Sequence, residues 1–165
     1  MSAKPYIELN NVSKTFGDIC AVNGVSFSVN KGEILAFLGP NGAGKTTTMR
    51  MVSGFLPATS GEIRIKGQEL REAPLTAKAS IGYLPEGAAL YRDMSVHNFL
   101  LFIGKLHGLK REKLKQRYDY VVHALHLSEV LHMPIDTLSK GFKRRVALAQ
   151  AIIHDPDILL LDEPT

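Results

Sequence analysis

The chain is poor in cysteine and has no long apolar run. Cys20 is its one thiol in 165 residues, so no disulfide can form within the chain, and a reducing compartment suits it. No stretch approaches the roughly 20 apolar residues that a membrane-crossing helix needs. The N-terminal Met1 to Tyr6 lacks the apolar core of a signal peptide. The expectation is a soluble, intracellular protein, unless a partner brings it to a membrane. No internal repeat, low-complexity segment or Gly/Ser linker interrupts the sequence. A large charge imbalance is also absent: 20 basic against 16 acidic residues leave a formal +4. That excess is spread out, apart from Lys110 to Lys115 and Lys140 to Arg145, so nucleic-acid binding is not implied. With 45% apolar and 22% charged residues, the chain sits in the ordinary globular range and is long enough for one domain with a real core.

What the sequence does contain is Gly39-Pro40-Asn41-Gly42-Ala43-Gly44-Lys45-Thr46, a match to G-x-x-x-x-G-K-[ST]. Before it, Ile34-Leu35-Ala36-Phe37-Leu38 is an unbroken apolar run, which reads as a strand buried on both faces. After it, Thr46 to Ser53 reads as a helix, with Gly54 as its stop and Pro57 just beyond. A strand, a glycine-rich loop and a helix in that order make a phosphate cradle. Glycines let backbone N–H groups close around a polyphosphate, and the helix N-terminus adds partial positive charge. Gly39 to Gly44, Lys45, Thr46 and Thr47 are therefore the candidate nucleotide-binding residues, with Lys45 also a candidate catalytic residue that reaches the outer phosphates. The Thr46 hydroxyl is a candidate ligand for Mg²⁺. No Asn-Lys-x-Asp guanine-reading motif occurs, which disfavours a small GTPase.

Elsewhere, Tyr6 to Asn10 and Val25 to Val29 read as strands, and Ser13 to Gly17 as a loop between them. Val25, Phe27 and Val29 alternate with serines, which implies an antiparallel sheet with one wet face. Gly61 to Gly67 is a further alternating strand, and Ile81 to Leu84 a short one that runs into Pro85-Glu86-Gly87. From Ser95 the period becomes helical. Val96, Phe99, Leu100 and Ile103 share one face, with Ser95 as N-cap. Leu114, Tyr118, Val121 and Leu125 form the apolar face of a second helix, whose wet side is the Lys110 to Lys115 run. Ser139 starts a third helix, which ends before Pro156. Ile158 to Leu161 then reads as a buried strand that delivers Asp162 and Glu163 at its C-terminal end, where ligand sites of open α/β sheets lie. Asp162 suits Mg²⁺ coordination through water, and Glu163 suits polarisation of an attacking water. His123 and His126 share a helical face at i, i+3, but without a third ligand they read as solvated or half-buried histidines.

Leu138-Ser139-Lys140-Gly141-Phe142 resembles the L-S-G-G-Q signature of the ATP-binding-cassette (ABC) ATPases, with Lys140 and Phe142 as departures. The order of motifs along the whole chain is similar to that family. The resemblance implies an α/β fold: a P-loop core, a small antiparallel β-subdomain and an inserted α-helical subdomain. Its boundaries would be 1–87 for core plus β-subdomain, 88–137 for the helical subdomain, and 138–165 for the signature helix and the strand ending in Asp162. It makes Phe16 the aromatic that stacks on adenine, and Ser139 and Gly141 contacts to a terminal phosphate held by a second cassette. Glu86 takes the place of the usual Q-loop glutamine as a metal or water contact, and Glu163 is the catalytic carboxylate. The basic cluster Lys140, Lys143, Arg144 and Arg145 reads as a solvated face that aids ATP capture.

The resemblance further implies ATP and Mg²⁺ as cofactors and ATP hydrolysis as the activity. Its partners would be a second cassette and a transmembrane permease, without nucleic acid or direct membrane insertion. The location would be cytoplasmic, peripheral on the membrane through that permease. The wording around Glu86 and Lys140 resembles bacterial drug, polysaccharide or gliding-motility exporters. The chain matches the first two-thirds or so of such a domain and stops after the Asp162 strand, so on its own it is expected to bind ATP poorly and not to hydrolyse it. Exposed sheet edges would then make it prone to aggregation. The alternatives are a non-transport ABC ATPase acting on ribosomes or DNA, and an inactive truncated product.

Overall fold

The computed structural model describes residues 4–72 and 74–162. The chain forms two compact units, Met1–Ile81 and Gly82–Thr165.

The first unit is built on a four-stranded antiparallel sheet in the order β2-β1-β3-β4. β1 (Ile7–Phe16) pairs with β2 (Ile19–Val29) on one side and β3 (Ser60–Ile65) on the other, and β3 turns back into β4 (Gln68–Glu69). The expected alternation is present. Ile7, Leu9, Ile63 and Ile65 are buried at every second position, while Ser26 and Ser28 on β2 face solvent. The helix α1 (Lys45–Val52) adds Met51 and Val52 to the buried set. Its end is as expected: Gly54 is left-handed, and the N–H groups of Gly54 and Phe55 return to the Met51 and Arg50 carbonyls. Gly61 marks a bulge where β1 and β3 change register, and a Cβ there would sit 2.3 Å from the Asn11 carbonyl oxygen. A short helix, α2 (Pro74–Ala79), opens on proline, a position where a missing N–H costs nothing. It lacks the length to show a period in the sequence.

Two expectations for this unit are corrected. Ser13 to Gly17 is not a loop, because β1 continues through Phe16 and turns at Gly17 and Asp18 to pair Phe16 with Ile19. Polar Ser13, Lys14 and Thr15 hid that extension. The apolar run Ile34 to Leu38 is not assigned as a strand, and no described strand pairs with it. Ile34 is 98% and Leu38 92% exposed, while Phe37 meets the Phe27 ring edge-on at 5.4 Å. Apolarity specifies burial, but a strand also needs a neighbour to satisfy its N–H and C=O groups.

In the second unit, β5 (Ile81–Leu84) and β6 (Ile158–Leu161) form a two-stranded sheet. Between them come α3 (Val96–Leu106), α4 (Arg111–Ala124), two single 3₁₀ turns at Ser128–Val130 and Ile135–Thr137, and α5 (Lys140–Ile152). Val96, Phe99, Leu100 and Ile103 of α3 enter one core with Val121, Leu127, Ile135, Val146 and Ile153. That is the face expected from their spacing. The Ser95 hydroxyl caps α3 by accepting from the Asn98 N–H at 3.3 Å. Arg117 on α4 closes the other end of α5, donating to the Ile152 and Ile153 carbonyls at 2.8 and 3.2 Å and pairing with Asp155 at 3.0 Å. β6 is less buried than its four apolar residues suggest. Ile158 is buried, but Leu159 is 43% exposed, since β5 is its one partner among the described residues.

The core of the second unit yields a paired prediction. Phe99→Ala, which empties a fully buried site, should lower stability by about 3–5 kcal/mol. Phe102→Ala, one turn further and partly exposed, should cost less than about 1 kcal/mol in the same urea titration.

Candidate functional site

The phosphate loop is shaped by glycine. Gly42 and Gly44 have φ of 84° and 82°, and Gly44 is the left-handed residue that opens α1. A Cβ on Gly44 would lie 2.5 Å from the Ala21 carbonyl oxygen and 3.0 Å from a Val22 methyl. Glycine is therefore required there twice, once for its backbone angle and once because β2 passes so close. Thr48, only 4% exposed, ties the first turn of α1 back to the loop through Oγ1 to the Gly44 carbonyl at 2.9 Å.

Lys45 folds back over the loop it follows. Its Nζ donates to the Gly39 and Pro40 carbonyls, each at 2.8 Å. The amine thus sits against oxygen acceptors at the mouth of a turn whose glycines leave the backbone accessible. That donor set fits a polyphosphate, whose oxygens would draw the amine from the two carbonyls. Thr46 and Thr47 follow in the first turn of α1. Just upstream, Glu33 is held below the usual carboxylate range by the Asn30 backbone N–H and then by the Asn30 side-chain amide, which fixes the bend entering the 34–38 segment.

Phe16 stands at the tip of the β1–β2 hairpin with its ring 49% exposed. Lys14 Nζ lies 5.1 Å from the ring centroid and donates to the Pro57 carbonyl at 2.8 Å. At that exposure Phe16 is not a core residue. The same β2 strand that starts beyond Phe16 brings Ala21 against Gly44, so hairpin and phosphate loop belong to one unit.

In the second unit, Ser139 is the N-cap of α5, its hydroxyl accepting from the Phe142 N–H at 3.3 Å. Gly141 lies in the first turn with open space on its Cα, the nearest atom to an added Cβ being the Ser139 hydroxyl at 4.0 Å. The basic cluster is only partly a solvated face. Lys143 donates to the Asp136 carbonyl at 2.7 Å, and the Arg145 guanidinium stacks 4.8 Å from the Phe142 ring centroid. Phe142, which replaces an amide in the signature pattern, is thereby part of the packing against the helical core. Glu86 is exposed in the turn that leaves β5. Asp162, by contrast, is 4% exposed, and its N–H bonds the Leu84 carbonyl at 2.9 Å, so the C-terminal ends of β5 and β6 lie side by side. That brings the Glu86 turn and Asp162 to one end of this sheet. Glu163 lies outside the described residues. Sequence reasoning missed the contacts of Lys14 and Thr48 and read Arg145 only as part of a solvated face, because individual side-chain contacts carry no periodic signal.

The profile of the ABC transporter family matches residues 22–165. The chain belongs to that family. Among its relatives, the linearmycin resistance ATP-binding protein LnrL of Bacillus subtilis is 40% identical over 96% of this chain and 51% of its own length. The spermidine/putrescine import ATP-binding protein PotA of Bacteroides fragilis is 36% identical over 98% of this chain and 35% of its own length. The chain thus spans about half, or less, of these curated relatives. Among solved structures, an ATP-binding subunit of an ABC transporter superposes with a TM-score of 0.88 at 28% identity, covering 96% of this chain and 66% of that one. The α/β P-loop ATPase fold is therefore that of an ABC ATP-binding domain, a family of ATPases that generally bind ATP with Mg²⁺.

Substitutions at two positions test this geometry in the ABC domain. Ser139→Ala removes the α5 cap and should cost about 1 kcal/mol, whereas Ser139→Asp should retain most of it, as read by urea midpoints. Gly44→Ala should cost at least about 1 kcal/mol from backbone handedness alone. A Gly44→Ala protein as stable as the parent would mean that α1 can open without the left-handed angle at residue 44.

Proposed function

We propose that the whole protein binds and hydrolyses Mg²⁺–ATP and drives an ABC transporter through a separate membrane-spanning permease. The observation that carries this reading is the Gly39–Thr46 loop opening α1 with the Lys45 amine against the loop mouth. Gly39, Pro40, Asn41, Gly42, Ala43, Gly44, Thr46 and Thr47 would cradle the phosphates, Lys45 would bind their outer oxygens, and Phe16 would stack on adenine. Thr46, Asp162 and Glu86 are the residues for Mg²⁺, which supplies charge neutralisation on the phosphates. Glu163 would polarise the attacking water. Ser139 and Gly141 would face the nucleotide held by a second cassette, so two copies are needed for turnover.

In this reading residues 1–87 serve as core and β-subdomain, 88–137 as the helical subdomain, and 138–165 as signature helix and Asp162 strand. The helical part and the Glu86 turn would contact the permease and hold the protein on the cytoplasmic face of the membrane. Export is favoured over import, because the residues around Glu86 and Lys140 resemble those of exporter cassettes. The cargo is read by the permease.

The test is a fluorescent-ATP titration and a phosphate-release assay on the full-length protein. Lys45→Ala should lower turnover at least about 100-fold, and Glu163→Gln should abolish release while sparing nucleotide binding. Residues 1–165 alone should not turn ATP over, since no described strand pairs with Ile34 to Leu38. Activity of residues 1–165 several-fold above the Lys45→Ala control would overturn that last expectation.

A further inference from the structure

The second unit holds two pairs of histidines that meet ring to ring, and the pairs differ in what they can bind. His107 and His154 stack face to face, with centroids 3.9 Å apart and planes within 2° of parallel. A ring nitrogen binds a metal in the plane of its ring, so two parallel stacked rings cannot aim at one ion. His97 and His132 are set otherwise. Their centroids lie 5.9 Å apart and their planes are tilted by 43°. Two imidazoles that share one ion, at metal–nitrogen distances of about 2.0–2.1 Å, hold their centroids about 5–6 Å apart.

Backbone contacts set this spacing. His132 lies between Leu131 and Met133, whose carbonyls accept from the His97 and Val96 N–H groups at 2.8 and 3.2 Å. Ser95 and Pro134 continue the contact as an antiparallel bridge. The start of α3 and the 131–134 segment are thus laced together beside the two rings. His97 is also oriented from α4. Its Nδ1 meets the Tyr118 hydroxyl at 2.7 Å, which leaves Nε2 as its open ring nitrogen. Burial, and then the Asp119 carboxylate, push Tyr118 above the usual phenol range, so its oxygen stays a neutral acceptor for Nδ1–H. That tautomer places the lone pair on Nε2. His132 is exposed, which gives its ring room to turn toward that nitrogen.

We propose that His97 and His132 form a two-imidazole site for a borderline-soft divalent ion such as zinc, with Tyr118 as the residue that positions His97. Among the described residues no group of three His, Cys, Asp or Glu side chains is placed to hold an ion, so water completes the coordination. Two neutral nitrogen ligands favour zinc, nickel or copper over magnesium, which prefers oxygen. The site is therefore chemically distinct from the Mg²⁺ position proposed for the phosphates. An ion held there would cross-link α3 to the segment that leads into the 3₁₀ turn at Ile135–Thr137, and would stabilise the folded unit alone. His123 and His126 do not compete, since α4 ends at Ala124 and His126 lies beyond it with a left-handed φ of 51°.

The experiment titrates the nucleotide-free, full-length protein with zinc chloride by isothermal calorimetry, in buffer holding millimolar magnesium. His132→Ala should weaken the site at least about tenfold, and His126→Ala should leave it unchanged. Tyr118→Phe keeps the ring but removes the hydroxyl, and should weaken zinc binding several-fold; a merely structural tyrosine would leave that affinity as it was. At about a hundredfold excess over its dissociation constant, zinc should raise the circular dichroism melting midpoint by a few degrees. That rise should vanish in His132→Ala, whose exposed position keeps the metal-free fold intact. Equal zinc affinity in the parent, His132→Ala and His97→Gln would overturn the proposal. So would a site lost in His126→Ala but kept in His132→Ala, or zinc displaced by the magnesium, which would put it on oxygen ligands.

Discussion

The first unit depends on one close approach, that of the Ala21 carbonyl to Gly44. β2 reaches the start of α1 with no room for a methyl group, and the left-handed Gly44 lets the chain turn from loop into helix at that point. Everything the site needs follows from it. The hairpin that ends in Phe16 and the loop that ends in Lys45 are tied to one another through backbone, not through mobile side chains. Thr48 locks the same junction from inside α1. A larger residue at position 44 would separate hairpin and loop before it disturbed any phosphate contact.

Where function concentrates, the sequence was most legible, because function there fixes residue types at fixed offsets. The Gly39–Thr46 loop, the Ser139 cap and the face of α3 could each be read directly, since backbone handedness, N-cap chemistry and helical period are local properties. Ile34 to Leu38 shows the limit. Five apolar residues predict burial, yet no described strand lies against them, so the ladder is a property of a neighbour and cannot be read from the segment itself. β6 shows the same limit more mildly at Leu159. The β1–β2 hairpin failed for the opposite reason. Ser13, Lys14 and Thr15 are poor strand signals, and it is pairing with Val22 and Cys20 that keeps Lys14 and Thr15 extended.

The signature helix illustrates how a departure from a family pattern can be absorbed. Phe142 replaces an amide, but its ring packs toward the helical core on one side and is covered by Arg145 on the other. Lys140 and Lys143 lie one turn apart along the same helix, and Lys143 also fastens the 3₁₀ turn at Ile135–Thr137. Two of the basic residues that look like a bland solvated stripe in the sequence, Lys143 and Arg145, thus have contacts of their own.

The α5 helix is secured at both ends. Ser139 and Lys143 hold its start, and Arg117 grips its final carbonyls and the Asp155 that follows. A helix of 13 residues extends roughly 20 Å, and with both termini braced it has little freedom to fray or bend. Mechanically it is a strut. Its far end leads within a few residues into β6 and Asp162. The grip of Arg117 on the last carbonyls and on Asp155 therefore also sets where the chain enters the strand that ends beside the buried Asp162.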